Sequence, residues 1–97
     1  MAINHPVRVI AFQECDQRVA QCLEHDVCAQ APDLDTLYAR VEATLLAEDA
    51  ALREAGKGGI DALPAAPDHF FRMWDKRSDF NRSGAADGVQ YELALCA

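Results

Sequence analysis

At 97 residues, half of them apolar and a quarter charged, the chain has the composition of one ordinary folded domain, which argues against disordered and fibrous classes. Sixteen acidic against nine basic residues leave a formal charge of −7, a field that repels phosphate backbones and disfavours nucleic-acid binding. Eighteen consecutive apolar residues occur nowhere, and no basic start leads into a long apolar run, so the expectation is a soluble, cytoplasmic protein without a membrane partner.

Val7 to Gln13 is rich in β-branched and aromatic types and predicts a strand. Val7, Val9 and Ala11 would lie on one face and Ile10 and Phe12 on the other, so both faces need cover. The polar stretch from Glu14 to Gln17 lets the chain reverse into a second strand beginning near Arg18. Val19, Gln21 and Leu23 alternate there with Ala20 and Cys22. A bend at Glu24, His25 and Asp26 follows, and Val27 to Ala31 resumes as a third strand.

Pro32 keeps Ala31 extended, and Asp33 stands where its carboxylate can cap the first turn of a helix. Leu34, Leu37, Tyr38, Val41, Leu45 and Leu52 then recur at helical spacing, with Arg40, Glu42, Glu48, Asp49 and Arg53 mainly opposite. The predicted helix covers about 34 to 54 and ends in Gly56, Gly58 and Gly59. Two prolines in IDALPAAP, residues 60 to 67, read as an extended surface connector. Asp68 would cap a short helix carrying Phe70, Phe71, Met73 and Trp74, placed to plug one end of the core.

Arg77 to Gly88 is polar and glycine-bearing and reads as a loop. Arg72, Lys76, Arg77 and Arg82 form a basic cluster there, read as a solvated face. The final run VQYELALCA alternates as a half-buried strand, with Val89, Tyr91, Leu93 and Leu95 inward. The expected fold class is therefore α+β, a small mixed β-sheet in the order β-β-β-α-β with one long helix packed on one face, in a single domain spanning 1–97. Apolar residues on both faces of the first strand, with too few elements to cover both, predict self-association as a homodimer.

The strand–hairpin–strand–capped-helix order, with CLEHDVCAQAPDLDTL across the hairpin, resembles the N-terminal domain of HicB-type antitoxins over about residues 7 to 55. Glu24 matches the acid of that family's motif, Cys28 its cysteine and Asp33 its polar helix cap, whereas Leu23, Ala31, Thr36 and Leu37 depart from it. The resemblance implies a non-catalytic protein-binding module that neutralises a small basic HicA-type RNA-cleaving toxin. Glu24, His25 and Asp26 are the candidate partner-binding residues, with an exposed sheet edge as a further surface. Many family members add a DNA-binding segment; the short aromatic helix, loop and strand after Gly59 do not match one, and no separate DNA-binding domain is expected.

Cys22, His25 and Cys28 form the one ligand-like trio and supply the alternative reading, a thiol or metal-binding protein. On a straight strand the two cysteines would stand about 20 Å apart, and only a bend at His25 brings them together. Structural zinc needs four ligands, and the usual CxxC pairs are missing, so the preferred expectation is no metal and no cofactor. Without an export signal, Cys15, Cys22, Cys28 and Cys96 read as reduced thiols; a Cys22–Cys28 disulfide would need their α-carbons within about 7 Å. A nucleophilic thiol would need His5, His25 or His69 beside it in space. Residues 7 to 12 hold no acid for a magnesium-dependent nuclease, and neither a phosphate loop nor a GxSxG elbow occurs, so no enzymatic activity is expected.

Overall fold

The computed structural model describes residues 6–86 and 88–96. Three antiparallel strands open the chain: β1 (Val7–Glu14), β2 (Gln17–Cys22) and β3 (Cys28–Ala31). Helix α1 (Leu34–Glu54) follows, capped by Asp33, whose carboxylate accepts from the Thr36 amide at 2.8 Å. A 3-10 turn (Ile60–Ala62) leads to helix α2 (Asp68–Asp75), then to strands β4 (Arg77–Ala86) and β5 (Val89–Cys96). The five strands form one mixed sheet in the order β3-β2-β1-β5-β4, with β5 parallel to β1.

The sheet separates two cores. On one face Val7, Val9 and Ala11 of β1 and Tyr91 and Leu93 of β5 meet Leu37, Tyr38, Val41 and Leu45 of α1. On the other, Ile10, Leu23 and Ala94 meet Trp74, with Phe70, Phe71 and Met73 of α2 packed around them. On this second face, Ile10 of β1 and Ala94 of β5 are covered by α2.

Several expectations need correction. α2 lies on the second face of the sheet and does not plug an end of the first core, because Phe70, Phe71 and Trp74 find an apolar surface in Ile10 and Ala94. Its cap position is Pro67, with Asp68 the first helical residue. The segment read as a loop from Arg77 to Gly88 is mostly strand β4, so the strand–helix order is β-β-β-α-α-β-β. Its polar residues suit an edge strand, where a polar pattern hides the pairing signal. The basic cluster splits: the Arg77 guanidinium lies 4.7 Å over the Trp74 ring and that of Arg82 4.1 Å over Tyr38, rings that belong to the two separate cores. Glu42 and Asp49, placed on the outer side of α1, both serve the fold: Glu42 accepts from Tyr91 Oη at 2.5 Å and Asp49 from the Ile60 amide at 3.0 Å.

Gly84 explains how Tyr91 reaches Glu42. It stands opposite Tyr91 in the β4–β5 ladder, and a Cβ there would fall 2.5 Å from the tyrosine ring. The missing side chain leaves room for the buried ring to lie across β4. Burial, followed by the Glu42 hydrogen bond, pushes the Tyr91 hydroxyl pKa up. Alanine normally improves on glycine in a strand. Here Gly84→Ala should destabilise the fold by about 1–3 kcal/mol through overpacking, measured by urea denaturation.

Candidate interaction site

The bend from Leu23 to Val27 joins β2 to β3, and its backbone is held from three directions. Leu23 donates to the Arg8 carbonyl at 2.9 Å and its own carbonyl accepts from Ala66. Asp26 donates to the Pro64 carbonyl at 2.7 Å. Val27 donates to the His25 carbonyl at 2.7 Å, closing a three-residue turn about Asp26. The proline-bearing connector is thus pinned along this bend, with Ile60 and Ala66 buried, and does not simply cross the surface.

The three residues singled out for partner binding behave differently. Glu24 is turned to β1, its Oε1 accepting from the Arg8 amide at 2.9 Å and its Oε2 from Arg8 Nε at 2.5 Å. That use is structural, although about a third of its side chain stays exposed. Asp26 is exposed, and one of its oxygens accepts from Gln21 Nε2 at 2.9 Å. The buried Gln21 amide is shared with the Cys22 carbonyl at 3.0 Å, so it fixes the bend from beneath.

His25 lies between the bend and the connector with 15% of its side chain exposed. Its Nε2 is 3.8 Å from Asp61 Oδ1, while Nδ1 is buried and meets no hydrogen-bonding partner among the described residues. Asp61 itself is 90% exposed. The exposed carboxylates here are Asp26 on the bend and Asp61 on the connector, the latter facing His25.

The alternative trio does not assemble. Cys22 points into the core beside α1, Cys28 is exposed opposite Gln21 in the ladder, one position out of phase, and His25 turns to Asp61. Among the described residues no three His, Cys, Asp or Glu side chains gather as a metal site, and Cys15, Cys22 and Cys28 are free thiols. His69 is tilted against the Phe70 ring at 4.0 Å, and His5 lies outside the described residues.

Burial, with smaller contributions from Glu24 and Cys28, pushes the Cys22 thiol up to about 12. Cys22 is therefore a protonated core side chain at neutral pH, unsuited to nucleophilic attack. Because the folded value lies above the ordinary 9.0, the stabilisation from burying the neutral thiol is complete below that value. It is lost as pH rises from 9.0 to about 12. At pH 8 a thiol reagent should label Cys15 and Cys28 in the native protein and reach Cys22 only at the rate of unfolding, as read by peptide mass spectrometry.

Of the two sheet edges, β3 is short and its Gln30 carbonyl accepts from Arg40 Nη1 of α1 at 2.8 Å. β4 is the long edge, ten residues paired on one side by β5, with Phe80 41% exposed. No helix among the described residues is long and apolar enough to cross a membrane. Comparison with protein-family models, with curated proteins and with solved structures gives no match.

Sequence reasoning located the bend but missed Asp61, Arg8 and Gln21, which shape its surface. Asp61 carries no local signal, since a single acid in a proline-bearing connector is commonplace. Gln21 was visible only as one residue of a strand alternation, and its burial could not be foreseen from that.

Proposed function

We propose that this chain is a non-catalytic protein-binding module, HicB-like in type, whose partner is a small basic protein of the class of the HicA-type RNA-cleaving toxins. The observation that carries the reading is the pinned bend, which presents the exposed Asp26 while the connector bonded to it presents the exposed Asp61, on a chain of net charge −7. Carboxylates on a backbone held in place, in such a field, steer a basic partner. The strand–hairpin–strand–capped-helix order of residues 7 to 54 is a second support. Free thiols at Cys15, Cys22 and Cys28 suit a reducing compartment, and the reading places the protein in the cytoplasm.

Co-expression with the product of a neighbouring gene tests it. A small basic protein should co-purify, and Asp26→Asn with Asp61→Asn should slow association roughly tenfold at low salt, with the difference closing as salt rises. If no basic protein is retained, or if the double variant binds at an unchanged rate, the reading fails.

A further inference from the structure

We infer that a second site, on the opposite end of the sheet from the 23–27 bend, binds a small monocarboxylate with a short aliphatic body. It is a cleft of about 200 Å³ just past the carboxyl ends of β1 and β5, the parallel pair, with the first turn of α1 forming one wall. The volume is equivalent to roughly seven water molecules, too small for a nucleotide and suited to a short-chain acid.

The walls state the ligand's chemistry. Ala11, Phe12, Leu34 and Leu95 supply an apolar surface, while Gln13 and Arg18 sit side by side as a pair in the β1–β2 ladder. Among the described residues, Arg18 is the one charged side chain lining the cleft. It is half-buried, and its guanidinium makes no ion pair or hydrogen bond with any described residue. That is unusual in a chain where acids outnumber bases sixteen to nine and where Arg8, Arg53, Arg77 and Arg82 all have partners.

A guanidinium without a protein partner at the mouth of an apolar cleft can take a carboxylate through two parallel N–H donors. The Gln13 amide donates one N–H to the Cys15 carbonyl at 3.3 Å, and Arg18 beside it supplies the charge that holds the anion. The aliphatic body then lies against Leu34 and Leu95. The net charge of −7 opposes an anion at long range, so binding rests on contact alone and is of millimolar order for a ligand of this size.

Titration of the full chain with hexanoate at constant pH and ionic strength, followed by amide chemical shifts, tests this. The amides of residues 11 to 13, 18, 34 and 95 should move along one saturating curve. Hexanol, which has the same body without the charge, should bind at least tenfold more weakly. Arg18→Gln should weaken hexanoate at least tenfold while leaving the remaining spectrum in place, and Arg18→Lys, which keeps the charge but not the fork, should fall between. Absence of movement at these amides, equal binding of hexanol, or unchanged affinity in both variants would overturn the inference. Since none of these residues lies on the bend or the connector, the outcome is independent of partner binding there.

Discussion

Trp74→Ala is expected to lower the stability of the folded chain by about 3–5 kcal/mol, a large part of the roughly 5–15 kcal/mol that a domain of this size possesses. Trp74 is 5% exposed and is the largest side chain on the second face, packed with Ile10, Leu23 and Ala94. Its ring also carries two guanidinium groups, Arg77 at 4.7 Å and Arg8 at 5.8 Å. Removing the ring opens a cavity and takes the aromatic face from Arg77, while Arg8 keeps the Phe71 ring at 5.4 Å. The eight residues of α2 cannot sustain a helix unaided, so its amides should lose hydrogen-exchange protection before those of α1. Far-UV circular dichroism should register a fall in Tm on the order of 20 °C, with Trp74→Phe retaining most of the stability. If Trp74→Ala melts like the parent, α2 does not hold the second core.

On the first face, Leu45→Ala should cost about 2–5 kcal/mol and the adjacent Leu46→Ala within about 0.5 kcal/mol of nothing. The two residues share a chemistry and a helix turn. Leu45 is 0% exposed, packed among the apolar residues of α1 and the sheet, whereas Leu46 is 43% exposed. The contrast isolates burial from helix propensity, which is equal for the two. Urea denaturation of both variants with unchanged m-values measures it, and equal losses at the two positions would mean that the packed face of α1 is misassigned.

The long helix was legible from end to end because every signal is local. Asp33 offers a carboxylate to the Thr36 amide three residues on, and Leu37, Val41 and Leu45 repeat with the helical period. Strand β1 was equally plain, since apolar residues in both phases leave a two-faced buried strand as the simplest solution. Strand β4 was hidden because Arg77, Asp79, Asn81 and Ser83 follow no apolar alternation, and the ladder to β5 alone makes the segment a strand. The sequence contained no sign that the α2 aromatics would turn onto Ile10 and Ala94.

The candidate site divides along the same line. The bend at Glu24, His25 and Asp26 was readable from polar residues between two alternating runs, yet which of the three would face outward was not. Glu24 is drawn to Arg8, sixteen positions away, and Asp61 of the connector faces His25 with its carboxylate exposed.

By itself the sequence determined the reversals, the capped amphipathic helix and the strongly acidic charge, since these rest on contacts within a few residues or on composition alone. The tertiary structure decided the second core, the strand status of β4, the inward turn of Glu24 and the open Arg18 at the far cleft. Each of these depends on groups far apart in the chain meeting across a sheet. Local patterns record which residues avoid water, and only packing settles which surface they avoid it against.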